Sequence, residues 1–149
     1  MTVGEQRLDL TDPGQCGVYF VGHEDLDAIA QEAAVHSLWR GRIDLGECRG
    51  KQDVLARIAD TMHFPPTFGH NWDALSDCLG DLQWLPAGGH VLLFEHGDVF
   101  GNAHPEHFDT LLDILDDVCA DAAAASALLF AFLAFPDNAF EASSGRVDP

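Results

Sequence analysis

The sequence has 149 residues, 47% of them hydrophobic, and a formal net charge of −18. This length is typical of one domain, and the hydrophobic fraction is sufficient to build a core. A chain with this much negative charge repels nucleic acid and anionic membranes, so we expect neither as a partner. The same charge favours association with a basic partner. High solubility or a high-salt habitat is the alternative explanation of the charge.

Three further features bear on the compartment and on membrane binding. Residues 1–5 have neither the basic start nor the apolar core of a signal peptide. Four cysteines are spread along the chain without CxxC spacing, and in a protein that is not exported we expect them to be reduced thiols. The apolar run 122–135 is too short to span a bilayer. We therefore expect a cytoplasmic protein that does not bind membranes and is a monomer when free.

The first 45 residues predict a β-α-β arrangement. The start of the chain, residues 1–15, is polar, contains the turn signal Asp12-Pro13-Gly14 and is expected to be loosely or partly ordered. The β-branched and aromatic run 17–21 is typical of a strand, and residues 23–37 predict a helix. Residues 39–45 predict a second strand. Residues 1–38 thus form a β-α unit, which would extend a sheet or cover its edge.

The middle of the chain predicts two helices separated by a stiff loop. After a turn, residues 51–62 carry apolar side chains at helical spacing. Two prolines and a glycine exclude regular structure in the loop 64–70. A short helix is predicted over residues 72–81, with Asn71 as its N-cap and with Gly80 allowing it to end.

The last third of the chain predicts two buried strands around one helix. Residues 90–95 form an apolar run typical of a strand that is buried on both faces. A loop over residues 96–104, a helix over 106–121 and a strand over 127–135 follow. Residues 136–149 hold little that can form a core, so we expect a flexible tail. Strands separated by helices predict a parallel α/β sheet with right-handed crossovers.

The helix 72–81 carries three aspartates along one side. Asp73, Asp77 and Asp81 are spaced so that each lies about 6 Å from the next. Like charges at this spacing repel each other by a few tenths of a kcal/mol per pair. No Lys or Arg stands between Arg57 and Arg146 to offset this repulsion. A solvated helix face is the simplest explanation, but the lack of counter-charge favours a surface that receives cations from another molecule.

The loop and this helix contain the segments Phe64-Pro65, Phe68-Gly69, Asn71-Trp72-Asp73-Ala74-Leu75 and Asp77-Cys78-Leu79. These segments resemble the signature of the barstar family, the intracellular inhibitors of the secreted ribonuclease barnase and its relatives. The resemblance runs without a gap from Phe64 to Pro86, and looser similarity extends from about Ile43 to Phe135. It implies a core of three parallel strands with helices packed against it, here over residues 39–135. We therefore predict a single α/β domain over residues 1–149, with one strand added at the N-terminus.

By this resemblance, the loop and helix insert into the active site of a ribonuclease. Asp77 takes the place of the family's principal acidic anchor, and Asp73 takes that of the second acid. Asp117 falls near a further acidic contact on the helix before the last strand. The Leu85–Pro86 peptide bond is expected to be cis. The expected contact residues are Asp73, Asp77, Thr67, His70, Asn71, Ser76, Asp81 and Asp117.

The sequence departs from barstar itself at three of these positions. Thr67 and Ser76 stand where barstar has an aromatic contact residue and a tryptophan, and Asp81 adds an acid. Aromatic residues often carry much of the binding energy of an interface, so these changes bear on which nuclease is bound. Trp72 is interpreted either as a core anchor behind the helix or as a contact residue.

Other chemistries find less support in the sequence. His104 and His107 stand three apart at a helix start, but nothing makes three or four ligands converge on a metal. Asp73 and Asp77 could act as a glycosidase pair, but a short surface helix has no substrate cleft. No phosphate-binding loop and no nucleophile–base pattern is recognisable. We expect no enzymatic activity, no metal and no cofactor.

The sequence therefore predicts a ribonuclease inhibitor, or toxin-immunity protein, that blocks a basic ribonuclease with an acidic loop and helix. The alternative is a binding module of the same fold for another basic protein, such as a non-nuclease toxin.

Overall fold

The computed structural model describes residues 8–82, 85 and 88–135 of the chain. Within these ranges a short 3-10 turn, Pro13–Gln15, precedes four strands and five helices. The strands are β1 (Gly17–Gly22), β2 (Trp39–Asp44), β3 (His90–Glu95) and β4 (Leu129–Phe135). The helices are α1 (Asp25–Val35), α2 (Lys51–Met62), α3 (Trp72–Asp81), α4 (Gly97–Ala103) and α5 (Pro105–Ala124).

The strands form one parallel sheet in the order β1-β4-β3-β2. The three strands β2, β3 and β4 are neighbours, with Trp39 opposite His90 and His90 opposite Leu129. The N-terminal strand β1 extends the sheet beside β4, with Gly17 opposite Phe130. The chain therefore crosses from one edge of the sheet to the other through α1. The predicted parallel α/β fold, with three core strands and one added N-terminal strand, is confirmed.

Helices cover both faces of the sheet. Among the described helices, only α1 packs on the first face, where Leu26 joins a cluster with Val91 and Leu93 of β3. The helices α2 to α5 pack on the second face, where the cluster includes Leu92 and Phe94 of the same strand. Alternate side chains of β3 thus enter two different cores, which explains its continuous run of apolar residues. The helix α5 lies over β1 as well as β4.

The prediction of a loop over residues 96–104 is wrong, because most of this segment forms α4. Two glycines let the helix lie against aromatic rings. A Cβ atom on Gly97 would be 3.0 Å from Cε1 of Phe135, and one on Gly101 would be 3.0 Å from Cδ2 of Phe108. Close packing against these rings thus stabilises the helix, although glycine has a low intrinsic helix propensity.

Residues 8–15, at the start of the described chain, are fixed by packing and hydrogen bonds. Leu10 is buried in the cluster on the α1 side of the sheet. The side chain of Asp12 accepts a hydrogen bond from the Gly14 amide at 2.9 Å and so caps the 3-10 turn. The Tyr19 hydroxyl donates to a backbone carbonyl of the same turn. The expected turn is confirmed, and within the expected loosely or partly ordered start, residues 8–15 are packed and hydrogen-bonded.

The remaining predicted elements agree closely with the structure. The last helix continues to Ala124, past its predicted end at residue 121, and β4 begins at Leu129. The predicted cis bond before Pro86 and the predicted tail 136–149 lie outside the described residues. No helix in the described ranges is both long enough and apolar enough to cross a bilayer.

The packing of α1 on the sheet can be tested with two substitutions in the same helix. Leu26 is fully buried, whereas Val35 is 74% exposed. Leu26→Ala removes buried methyl groups, so we expect it to lower the free energy of unfolding by about 2–5 kcal/mol. Val35→Ala is the control and is expected to change it by less than about 0.5 kcal/mol. Urea denaturation followed by circular dichroism measures both values, and equal small effects would contradict the packing.

Candidate protein-binding surface

The loop before α3 is held by a backbone turn and by aromatic packing. The Phe68 amide donates to the Pro65 carbonyl at 2.9 Å, which closes a turn around Pro66 and Thr67. The Phe68 ring is buried and meets the Phe64 ring edge-on, with ring centroids 4.9 Å apart. The prolines fix the backbone and Phe68 anchors it, so Thr67 is held exposed at the tip of the loop.

Asn71 joins this loop to α3 and caps the helix. Its Oδ1 accepts a hydrogen bond from the Ala74 amide at 2.7 Å, which satisfies one of the unpaired amides of the first turn. His70, just before it, has a left-handed φ of 55°, and its Nδ1 lies 3.1 Å from the Phe68 carbonyl oxygen. The Gln52 side chain of α2 donates to the His70 carbonyl at 3.4 Å. The predicted N-cap is confirmed, and the loop is tied to α2.

One side of α3 is fixed to the core. Leu75 and Leu79 are buried in the cluster that also holds Val118 of α5. Trp72 is half-buried against the same cluster, and its ring centroid lies 6.3 Å from that of His107 on α5. This packing favours the interpretation of Trp72 as a core anchor behind the helix.

The other side of α3 is acidic. Asp73, Asp77 and Asp81 are all exposed. None of these carboxylates forms an ion pair with any other residue in the described ranges. Burial, together with the nearby charges of Asp77 and Asp81, raises the pKa of the Cys78 thiol, which therefore stays protonated at neutral pH. Thus no described residue neutralises the acidic side of α3.

The basic residues of the described chain lie elsewhere. They are Arg40, Arg42, Arg49, Lys51 and Arg57, in β2, the turn after it and α2. Arg42 is already paired, at 2.6 Å with Asp27 and at 2.7 Å with Glu95. Among the described residues, positive charge is therefore confined to one edge of the sheet, and a negative field is left around α3 and α5.

The helix α5 adds acids beside α3. The exposed acidic residues along it are Glu106, Asp109, Asp113, Asp116, Asp117 and Asp121. Asp117 immediately precedes Val118, which packs in the same cluster as Leu79 of α3. The structure thus places Asp117 on α5, the helix before the last strand, and α5 packs against α3.

The predicted contact residues span a surface rather than a single point. All of them are exposed except Ser76, which is half-buried. Asp73 and Asp81 are separated by about 12 Å along the helix axis, at 1.5 Å per residue. Thr67, His70 and Asn71 lie at the N-terminal end of this row. Such an extended row suits contact with a macromolecule better than a small ligand.

The helix α3 ends differently from the prediction. Leu82, and not Gly80, adopts the left-handed conformation, with φ of 52°, and its amide donates to the Cys78 carbonyl at 3.1 Å. Leu82 is buried, so packing of its side chain stabilises a backbone conformation that leucine rarely adopts. Gly80 lies inside the helix, so its predicted role as the terminator is wrong.

The comparison with known families agrees with this geometry. A family model described as "Barstar (barnase inhibitor)" matches residues 41–134. The chain belongs to the barstar family. The match covers β3, most of β2 and β4, and α2 to α5, including the acidic side of α3, and it leaves out β1 and α1. None of the curated proteins matches the chain significantly.

Membership of the barstar family implies an inhibitor of the barnase-inhibitor type in general, and hence a protein partner. This class of function differs from the metal-dependent and glycosidase chemistries considered above. Within the described ranges, no three His, Cys, Asp or Glu side chains are grouped so that they could hold a metal ion. The rings of His104 and His107 lie 6.1 Å apart, and the His104 ring packs 5.1 Å from that of Phe100.

The position of Gly80 inside α3 gives a test of the helix. A Cβ atom on Gly80 would meet nothing within 4 Å. Because glycine in a helix interior is less favourable than alanine, Gly80→Ala is expected to raise the free energy of unfolding by about 0.5–1 kcal/mol. The melting temperature should rise by about 1–4 °C, as measured by calorimetry.

A matched control for this variant is Gly50→Ala. Gly50 also has open space around it, but it is the N-cap of α2, where alanine is disfavoured. We expect no stabilisation from Gly50→Ala. Destabilisation by Gly80→Ala would mean that the helix ends at Gly80 after all.

Proposed function

We propose that this protein inhibits a basic ribonuclease by covering its active site with an acidic surface. The acidic surface consists of the loop 64–70, the helix α3 and Asp117 of α5. The observation that carries the proposal is the row of exposed aspartates on α3 without cationic partners in the described chain. The barstar family match includes this row and supplies the class of function.

Asp77 is the central residue of the proposed mechanism. A ribonuclease holds the phosphates of RNA with cationic side chains, which a carboxylate can engage in place of the phosphate. Asp77 lies in the middle of the row, one helical turn from both Asp73 and Asp81. We assign Asp77 as the anchor that pairs with the enzyme's cations and Asp73 as its supporting acid. Substrate is then excluded by steric and electrostatic competition.

The loop 64–70 contributes rigidity to the proposed contact. Its turn, its prolines and the buried Phe68 ring hold it in one conformation before binding. A preorganised loop loses little conformational entropy on association, which favours tight binding. Thr67, His70, Asn71 and Ser76 are the proposed contacts around the anchor.

Two of these contacts bear on the identity of the target. Thr67 and Ser76 are small, so this part of the acidic surface offers less apolar contact area than aromatic side chains would. We therefore expect weaker inhibition of barnase than of a basic ribonuclease with larger side chains opposite these positions. Protection of a cytoplasm against such a toxin is the proposed biological role.

The same observation supports a second candidate function. Without aromatic contacts at positions 67 and 76, the acidic surface could bind a basic toxin that is not a nuclease. A ribonuclease assay on the natural partner, isolated with this protein, separates the two candidates. Activity that is suppressed in the complex and returns on separation supports the inhibitor, and a partner without nuclease activity supports the second function.

The role of Asp77 can be tested by substitution. Asp77→Ala leaves the enzyme's buried cations unpaired, so we expect inhibition to weaken by about 2–5 kcal/mol, a range for which barnase and barstar are themselves a reference case. Asp77 is exposed and outside the core, so the melting temperature should be almost unchanged. Titration of RNA hydrolysis by barnase and related basic ribonucleases measures the loss.

The control for Asp77→Ala is Asp60→Ala. Asp60 is also exposed but lies on α2, so the variant loses the same formal charge away from the acidic surface. Asp60→Ala should weaken inhibition by less than about fivefold, through weaker long-range attraction alone. Equal inhibition by Asp77→Ala and the unmodified protein would reject Asp77 as the anchor.

A further inference from the structure

A groove opens where the C-terminal ends of α3 and α5 meet the starting ends of β3 and β4. Its volume is about 340 Å³. The apolar side chains in its lining include Leu79, Leu82 and Val118, which are buried members of the core. The lining also includes the exposed residues Asp81 and Asp121, one from each helix. The groove therefore combines an apolar floor with two carboxylates.

The charges around this groove are all of one sign among the described residues. Neither Asp81 nor Asp121 forms an ion pair with a described residue, and no described Lys or Arg lines the groove. His90 lies in the lining, where burial lowers its pKa, and its Nε2 is 2.6 Å from the Leu85 carbonyl oxygen. His90 is therefore neutral near pH 7, and it does not offset the two carboxylates.

We propose that this groove binds the side chain of a lysine or arginine of the partner protein. The methylene stem lies on the apolar floor, and the cationic head lies between Asp81 and Asp121. The inference rests on the proposed function, since the partner is the same basic protein that the acidic surface engages. Long cationic side chains bury their stems while keeping the charge near water, which matches the two parts of this groove.

Other occupants fit the groove less well. An apolar side chain would cover the floor but would leave both carboxylates without a cation at the edge of an interface. An anionic group would be repelled by Asp81 and Asp121. A cation on a long stem satisfies both features, so charge complementarity and the apolar floor together select it.

The groove continues the acidic surface past its anchor. Asp81 lies one helical turn beyond Asp77, so a partner that pairs with Asp77 reaches the groove with a neighbouring side chain. The small residues Thr67 and Ser76 reduce contact towards the other end of α3. The groove thus places additional contact at the C-terminal end of the helix and selects partners that carry a basic side chain there.

The groove can be tested without any nuclease by titrating the protein with n-butylguanidinium and with guanidinium. Backbone amide shifts in ¹H–¹⁵N NMR spectra report where each cation binds. We expect saturable shifts at residues 79–82 and 118–127 and several-fold tighter binding of n-butylguanidinium, because each buried methylene adds affinity. Equal affinity for the two cations, or shifts spread over all acidic residues, would overturn the proposal.

Two neighbouring alanines provide a matched pair of variants. Ala125 lines the groove and is exposed, whereas Ala124 is exposed but absent from the lining. Ala125→Phe fills the groove, so we expect it to abolish the chain-length dependence, whereas Ala124→Phe should retain it. Unchanged binding to Ala125→Phe would overturn the proposal.

A pair of charge variants tests the carboxylate independently of groove shape and keeps the proposal testable if Ala125→Phe does not fold. Asp121→Asn should weaken n-butylguanidinium binding by about two- to fivefold, and Asp60→Asn on α2 should not. Equal effects of these two variants would overturn the proposed role of Asp121. Because no nuclease is present, failure of these tests leaves ribonuclease inhibition standing, and inhibition itself is tested by the nuclease assays described above.

Discussion

The helix α3 can hold three unneutralised carboxylates in a row because its opposite side is fixed to the core. Leu75 and Leu79 are buried beneath it, Asn71 caps its first turn, and Leu82 closes its last turn. Repulsion between successive aspartates amounts to a few tenths of a kcal/mol, which is small beside the burial of two leucines. The fold therefore tolerates a charge arrangement that an isolated helix of this length would not support.

The cationic side chains of the described residues lie away from the acidic side of α3. The described Lys and Arg residues all lie between residues 40 and 57, and Arg42 is paired with Asp27 and Glu95. The acids of α3 and α5 then act together as one negative surface, which would attract a basic nuclease from a distance and compete with RNA for the same cations. The added strand β1 widens the sheet beneath α5, and so it supports the helix that carries Asp117.

Much of the fold could be predicted from local sequence patterns. The strands β3 and β4 are runs of apolar residues, and α2 and α3 have apolar side chains at helical spacing, so their bounds were correct or nearly so. The helix α4 was missed because Gly97 and Gly101 have low helix propensity, and its stability comes from contacts with Phe135 and Phe108. Such contacts join residues distant in sequence, and local patterns do not contain them.

Part of the candidate site could likewise be predicted from the sequence, and part could not. The row Asp73, Asp77 and Asp81 follows from helical spacing, and the barstar resemblance singled out Asp77 within it. The left-handed Leu82 could not be predicted, because burial of its side chain and not its residue type stabilises that conformation. The groove could not be predicted either, because Asp81 and Asp121 come together only when α3 packs against α5.

The association rate as a function of salt tests the central claim most directly. Stopped-flow mixing with barnase or a related basic ribonuclease, from about 25 mM to about 500 mM salt, measures how strongly the acidic surface attracts its partner. We expect the association rate constant to fall at least about tenfold over this range, while the dissociation rate constant changes much less. An association rate constant that does not depend on salt, or the absence of a complex with any basic ribonuclease, would contradict the account.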